Sequence, residues 1–392
     1  MRTDRRSLLA VGAAFAGSSR LAESAPPRFP IMAWIGPPAS QTTIEKYREL
    51  AQAGFTHTFS QFPSLELMSA ALDIGRNVGV KLFVACPELQ ADPEGVAKRF
   101  KSHPALAGYH LRDEPSARDF ESLGKWARRV QSVDRMHGCY LNLFPTYAEP
   151  SQLGAPDYRS YVDLFLKQVP VPYLSWDHYP IVGDNLRPTY FENFEICAAA
   201  ARKRGLPIWA FILATAHTPY PIPTPGHLRF QGFTDLAYGV RCIQYFTYWT
   251  PEGTQWNFHQ GPIEKDGTRT PVYDRVKQMN REIQAASGVL GGSRVVSVTH
   301  TAPLPKSARP FTPSGWVKKL STPGGLVVSH RRGRQSELLL LVNRSFAAPT
   351  GAVVEFSSPT TLRYPNTGSP ARVRHTLSFE PGACVILESG RR

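Results

Sequence analysis

Carboxylates stand at two points of this sequence where short apolar runs end. The first is Arg-Asp-Glu-Pro at residues 112–115, and the second is Asp-His-Tyr-Pro at residues 177–180. A carboxyl group that is partly desolvated and near another acid has a raised pKa, as a general acid requires. Pairs of carboxyl groups perform acid–base work on glycosidic bonds. The two segments therefore predict acid–base chemistry on a carbohydrate.

Both segments also have a purely structural interpretation. Asp113 can cap the helix that follows it, and Glu114 can lie in the first turn, where the helix dipole favours acids. Residues 177–180 can form a hydrogen-bonded polar corner beneath a loop. Their position at strand ends favours the catalytic interpretation. We predict Glu114 as the general acid and Asp177 as the second carboxylate, with Glu252 as the alternative second carboxylate and Asp113 as a further catalytic candidate.

Aromatic, amide and acidic side chains follow the other apolar runs. Aromatic faces pack on sugar rings, and amides bind hydroxyl groups. The predicted substrate-binding residues are Trp34, Gln61, Asn142, His178, Tyr179, Trp249 and Glu252. No spacing of His, Asp and Glu requires a metal, and no cofactor is predicted. The expected partner is an oligosaccharide or polysaccharide substrate.

Eight apolar runs recur between residues 25 and 287, with amphipathic helical stretches between them. Apolar runs without alternation are typical of strands buried on both faces of a parallel sheet. Eight such units over this length predict a (β/α)8 barrel. The alternative, an open doubly wound sheet, would need a Gly-rich phosphate loop after the first strand, and residues 35–39 are not one. The runs are 31–35, 55–60, 80–85, 106–111, 138–144, 172–176, 207–213 and 241–249.

Residues 288–392 follow a different pattern, in which strand-like runs are separated by Pro, Gly, Ser and Thr. This pattern predicts a small antiparallel β-sandwich. The module has a net charge of +10, whereas residues 25–287 carry only +2. It can face an acidic glycan or an anionic cell envelope, or it can be a solvated basic surface. No nucleic-acid-binding signature is present.

The N-terminus resembles an export signal. Arg5 and Arg6 precede a short run rich in Ala and Gly, and small residues at 22–24 offer a cleavage site. Residues 1–24 are therefore predicted to be a twin-arginine signal peptide, and the mature protein is expected in the periplasm or outside the cell. The alternative is a chance Arg pair at an ordinary N-terminus. No segment is long and apolar enough for a membrane helix.

Three segments resemble clan A glycoside hydrolases, in particular family-42-like glycosidase homologues. Residues 108–115 (GYHLRDEP) resemble their acid/base segment at the fourth strand. Residues 228–239 (LRFQGFTDLAYG) and 243–249 (IQYFTYW) resemble their seventh helix and eighth strand. The resemblance implies that Glu114 is the general acid/base and that Trp249 forms a sugar-binding platform.

The sequence departs from the clan pattern at two strand ends. The usual Asn-Glu pair is Asp113-Glu114 here, and the seventh strand, which carries a Glu nucleophile in the clan, ends at residues 213–217 without an acid. The first hypothesis is an exported glycoside hydrolase. The missing acid supports an alternative, a non-catalytic glycan-binding protein on an enzyme-derived barrel. A third hypothesis is a structural envelope protein anchored by its basic module.

Overall fold

The computed structural model describes residues 28–253, 255–313, 315–366 and 368–389. The predicted signal peptide, residues 1–24, lies outside these ranges, so export stays a prediction. Within the ranges, no helix has the length and apolar character needed to cross a bilayer.

Eight parallel strands form a barrel, and each predicted apolar run overlaps one of them. The strands of this part are β1 (Ile31–Trp34), β2 (His57–Gln61), β3 (Lys81–Ala85), β4 (Leu106–Asp113), β5 (Gly138–Asn142), β6 (Leu174–Trp176), β7 (Ile181–Val182), β8 (Asn185–Leu186), β9 (Ile208–Leu213) and β10 (Cys242–Phe246). The parallel order is β5-β4-β3-β2-β1-β10-β9-β6, and β7 and β8 form a separate hairpin. The Leu143 amide donates to the Ser175 carbonyl at 3.0 Å, which joins the two ends of the sheet. The predicted (β/α)8 barrel is confirmed.

Helices connect the barrel strands and begin and end at the expected residue types. Thr43 caps the first helix by accepting from the Lys46 amide. Gly79 and Gly205 end two helices in the left-handed conformation, as the sequence predicts. The helices are α1 (Ile44–Gln52), α2 (Leu65–Val78), α3 (Pro87–Ala91), α4 (Pro93–Phe100), α5 (Phe120–Val133), α6 (Pro150–Leu153), α7 (Tyr158–Gln168), α8 (Tyr190–Arg204), α9 (Pro225–Tyr238) and α10 (Pro271–Leu290).

The apolar strands do not alternate with polar residues because both of their faces are buried. On β1, Ile31 and Ala33 pack among the residues that face the helices. Met32 and Trp34 point the other way and join aromatic residues inside the barrel. Successive strand residues point to opposite faces, so a strand between helices and a filled barrel interior needs apolar residues throughout.

The C-terminal part is a seven-stranded antiparallel sheet. Its strands are β11 (Arg294–His300), β12 (Val317–Ser321), β13 (Leu326–Arg332), β14 (Glu337–Asn343), β15 (Thr350–Tyr364), β16 (Arg372–Phe379) and β17 (Cys384–Ser389). Their order is β11-β13-β14-β17-β15-β12, with β16 also pairing with β15. Five of these strands overlap apolar runs in the sequence: β11, β13, β14, β15 and β17 overlap residues 295–298, 325–329, 338–343, 353–356 and 384–388. The strands β12 and β16 were not predicted, because most of their residues are exposed or only half-buried.

One face of this sheet covers the barrel. On β14, Leu338, Leu340 and Val342 belong to the core shared with the barrel. Leu339 and Leu341 point into the separate core of the C-terminal part. Helix α9 lies against this face, and eleven of its residues are buried.

A buried arginine joins the sheet to α9. The guanidinium of Arg331 donates to the carbonyls of Leu236 and Ser293 at 2.9 and 3.1 Å and to the Ser293 hydroxyl at 3.0 Å. The side chain is only 2% exposed. Leu236 lies in the last turn of α9, and its carbonyl also accepts from the Gly239 amide at 3.1 Å. Arg331 adds a charged donor to this helix end and joins it to the Ser293 carbonyl.

We expect Arg331→Ala to lower the free energy of unfolding by roughly 2–4 kcal/mol, because two buried carbonyls lose their charged donor. Urea and thermal unfolding of the whole chain measure this loss. Arg332→Ala is the matched control, since its guanidinium is 49% exposed and pairs with Glu337 at the surface. That control should change the free energy by less than about 1 kcal/mol. Equal losses in both variants would contradict the assigned role of Arg331.

Candidate active site

A cavity of about 290 Å³ opens where the carboxyl ends of the barrel strands meet. Catalytic groups of (β/α)8 enzymes lie at this end of the barrel. Strands β1, β4, β5, β9 and β10 each contribute a lining side chain, and the loops after β4, β5, β6, β9 and β10 supply the rest.

Three carboxyl groups line this cavity together. Burial and the charge of Asp177 raise the pKa of Asp113 to about 7. Burial, followed by the charges of Asp177 and Asp113, raises the pKa of Glu114 far above its ordinary range. Burial also raises the pKa of Asp177, but hydrogen bonds from Asn142 and Glu114 offset part of that rise. Burial and the neighbouring negative charges therefore favour the protonated form of Glu114 beside Asp177.

A chain of hydrogen bonds crosses the barrel and ends on Asp177. The Tyr140 hydroxyl donates to Gln244 Oε1 at 2.6 Å, and Gln244 Nε2 donates to the Ser175 hydroxyl at 2.9 Å. Ser175 then donates to Asn142 Oδ1 at 2.9 Å, and Asn142 Nδ2 donates to Asp177 Oδ1 at 3.0 Å. Every donor in the chain points toward Asp177. The chain therefore favours the ionised form of Asp177 and holds its carboxylate in one orientation.

The backbone of Glu114 is strained. Its φ is 43°, in the left-handed region that non-glycine residues rarely adopt. The Glu114 amide donates to the Asn142 carbonyl at 2.9 Å, which holds this conformation against the next strand. Strain of this kind costs on the order of 1–3 kcal/mol and concentrates at functional sites. Here it turns the Glu114 carboxyl into the cavity directly after β4.

Aromatic rings line much of the remaining cavity. The Trp34 ring lies 5.8 Å from the ring of Phe211 and 5.7 Å from that of Phe246. Trp256 lines the cavity with its side chain 50% exposed. Rings at the floor and the mouth of a cavity offer flat apolar faces to the C–H groups of a sugar.

His217 occupies the cavity at the end of β9, where the sequence lacks an acid. Its Nδ1 lies 3.1 Å from the Thr215 carbonyl, so Nδ1 carries the proton and donates it there. Burial lowers the pKa of His217, and the ring is therefore neutral near pH 7. The loop after β9, which is the seventh strand of the barrel, thus presents a neutral imidazole to the cavity in place of a carboxylate.

Comparison with known proteins locates this barrel among glycoside hydrolases. A family model described as β-galactosidase, glycoside hydrolase family 42, matches residues 156–286, which include Asp177 and His217. No curated protein sequence matches significantly. A β-galactosidase from Bacillus circulans sp. alkalophilus superposes with a TM-score of 0.62 at 10% identity, over 93% of this chain and 99% of that one.

The chain has the fold of the family 42 glycoside hydrolases. A family 42 β-galactosidase from G. stearothermophilus superposes with a TM-score of 0.60 at 9% identity, over 93% of this chain and 98% of that one. A family 5 glycoside hydrolase from Bacteroides vulgatus gives 0.60 at 11% identity, over 92% and 89%. The chain spans about three fifths of the length of the β-galactosidases from Marinomonas ef1 and Halorubrum lacusprofundi. The predicted relationship to clan A glycoside hydrolases is confirmed.

In this glycoside hydrolase fold, six of the predicted site residues meet at one cavity. They are Trp34, Asp113, Glu114, Asn142, Asp177 and Tyr179. Gln61 instead lines a second cavity beside the first. Glu252 is exposed on the loop after β10 and does not line the cavity.

Two predicted binding residues point away from the cavity. His178 is 2% exposed, and its Nε2 lies 3.2 Å from the Thr189 hydroxyl. Its ring therefore faces away from the cavity that Asp177 lines. Trp249 is 5% exposed and lies under the Lys46 ammonium, 5.7 Å from its ring centroid. The chain has left the barrel end by this residue, so Phe246 lines the cavity in its place. The resemblance-based placement of Trp249 at a sugar platform is therefore corrected.

Sequence reasoning missed the cavity residues that come from loops. Tyr147, His217, Tyr220, Trp256 and Phe258 all line it. Arg187, which follows β8, lies 4.0 Å above the Tyr147 ring and donates to the Tyr220 hydroxyl at 3.0 Å. The sequence did place the five lining residues after barrel strands. This position alone could not identify them, because aromatic residues in loops also occur at ordinary surface positions. Among the described residues, no group of three or more His, Cys, Asp and Glu is placed to hold a metal ion.

Proposed function

We propose that this protein hydrolyses a glycosidic bond and that Glu114 is its general acid. The observation that carries this proposal is that Asp113, Glu114 and Asp177 line one aromatic-lined cavity. Burial and the neighbouring negative charges raise the pKa of Glu114 there. The fold shared with family 42 glycoside hydrolases supports it.

Glu114 has the properties that protonation of a leaving oxygen requires. Its raised pKa keeps the proton on the carboxyl near neutral pH. As the glycosidic bond breaks, that proton moves to the leaving oxygen, and Glu114 becomes a carboxylate. Cleavage then places positive charge on the sugar ring, next to the Asp177 carboxylate. The negative charge of Asp177 stabilises the oxocarbenium-like transition state. A water molecule then adds to the anomeric carbon and gives a proton to the Glu114 carboxylate, which restores the acid and completes hydrolysis.

Asp177 is the second carboxyl group of the proposed mechanism. Both side chains line the same cavity, and the charge of Asp177 raises the pKa of Glu114. We assign Asp177 to holding the proton of Glu114 and to charge stabilisation.

Release of sugar from a panel of natural glycosides tests the proposed function. β-Galactosides come first because the matching family model is described as β-galactosidase. Mass spectrometry of the products identifies the bond that is cleaved. Binding without turnover across the whole panel would instead support a non-catalytic glycan-binding protein.

The same proposal includes export, for which Arg5 and Arg6 are the supporting residues. Replacing both with Lys should leave the uncleaved precursor in the cytoplasm, because a twin-arginine signal depends on the pair. Cell fractionation and the mass of the mature N-terminus measure the effect. Arg20→Lys, outside the pair, is the matched control and should export normally. Unchanged periplasmic yield of the double variant would rule out this signal.

A further inference from the structure

A second and larger cavity, of about 690 Å³, adjoins the first at the mouth of the barrel. It lies at the ends of β2, β3 and β4 and is bounded by α3. Asp113 lines both cavities, so the two are neighbours at the mouth of the barrel.

A cation lies in this second cavity. Arg112 lines it and is exposed, and none of the carboxylates in the described ranges forms an ion pair with its guanidinium. By contrast, Lys46 and Arg269 both form ion pairs with Glu49. A guanidinium presents a fork of N–H donors that matches a carboxylate in two parallel hydrogen bonds.

A buried polar atom also lacks a partner here. His110 lines the cavity and is 6% exposed, and its Nε2 has no hydrogen-bond partner. The ring is held from the barrel side by Phe59, whose ring centroid lies 4.2 Å away. Because this atom has almost no accessible surface, the ring forms part of the cavity wall, and its Nε2 is not available to a ligand.

The other lining residues are suited to a sugar ring. Gln61 and Gln90 are exposed amides that can bind hydroxyl groups. Trp126 is fixed by donation from its Nε1 to the Leu89 carbonyl at 2.9 Å and adds an aromatic surface to the cavity. Amides and an aromatic ring around one cation are typical components of a site for a charged sugar.

We infer that the second cavity is a subsite for a sugar residue bearing a carboxylate, a uronic acid, which Arg112 binds through its guanidinium. This inference rests on the proposed glycosidase function, because it places the charged residue beside the bond that Glu114 cleaves. Arg112 pairs with the carboxylate, and Gln61 and Gln90 bind the ring hydroxyls. Asp113 lies at the boundary with the first cavity, so the carboxylate sits at the Arg112 end.

Calorimetric binding to the full-length Glu114→Gln variant tests the subsite without requiring turnover. The probes are short oligouronides of galacturonate, glucuronate and mannuronate, each compared with its carboxyl-reduced neutral counterpart. At least one oligouronide should bind about tenfold or more tightly than its reduced form, and this preference should weaken with salt.

Adding Arg112→Gln should remove that preference, while Arg112→Lys should keep part of it. Arg118→Gln is the matched control, because it removes one exposed positive charge outside the cavity. The inference is overturned if no oligouronide binds better than its reduced form, or if the preference survives Arg112→Gln. If the wild-type protein cleaves no glycoside but the oligouronide is still preferred, the result contradicts the proposed hydrolase function and leaves the subsite in place.

Discussion

Glu114→Gln is expected to lower the turnover of a natural glycoside by about 10²–10⁴-fold, the usual contribution of a general acid. Glutamine keeps the size and hydrogen-bonding capacity of the side chain but has no proton to give to the leaving oxygen. Steady-state kinetics on the glycoside identified by the panel measure the loss. An activated aryl glycoside, whose leaving group needs little protonation, should lose much less activity.

The folded state should tolerate this substitution. Burial raises the pKa of Glu114 in the folded protein, so stability is lost as the pH rises through that raised value. Glutamine has no charge to bury, and the variant should be at least as stable as wild type in alkaline buffer. Glu121→Gln on the outer face of α5 is the matched control and should keep full activity. Wild-type turnover in Glu114→Gln, or equal losses on both substrates, would remove Glu114 from this role.

Asp177→Asn is expected to lower turnover by about 10²-fold or more and to change the pH profile. The raised pKa of Asp177 means that wild-type activity falls as the pH drops and the carboxylate gains a proton. The variant has no carboxyl group to protonate at this position, so the fall in activity at low pH that Asp177 causes should be absent from it. The charge that raises the pKa of Glu114 is also gone, and Glu114 should therefore deprotonate at a lower pH. The alkaline limb moves toward neutral pH.

The dependence of kcat on pH separates this role from a purely structural one. A variant that is only misfolded would lose activity at every pH without moving either limb. Asp163→Asn, an exposed position on α7, is the matched control and should leave both limbs in place. An alkaline limb that stays unchanged in Asp177→Asn would show that Asp177 does not govern the proton of Glu114.

The sequence by itself determined the barrel and the position of its acids. All eight apolar runs overlap barrel strands, because a strand buried on both faces must be apolar throughout, and that requirement is visible locally. Glycines such as Gly79 and Gly205 marked helix ends for an equally local reason, the left-handed conformation. Since parallel strands end on one side of the barrel, Glu114 and Asp177 were bound to lie near each other.

Tertiary structure alone decided which side chains enter the cavity. After a strand ends, the path of the loop sets the side-chain direction, so Asp177 and Tyr179 line the cavity while His178 between them faces α8. For the same reason, Trp249 packs beside Lys46 outside the cavity, whereas His217 lines the cavity. The hydrogen-bond chain into Asp177 joins residues far apart in the sequence. Its order, and hence the proton on Glu114, depends on distances across the barrel that no local pattern encodes.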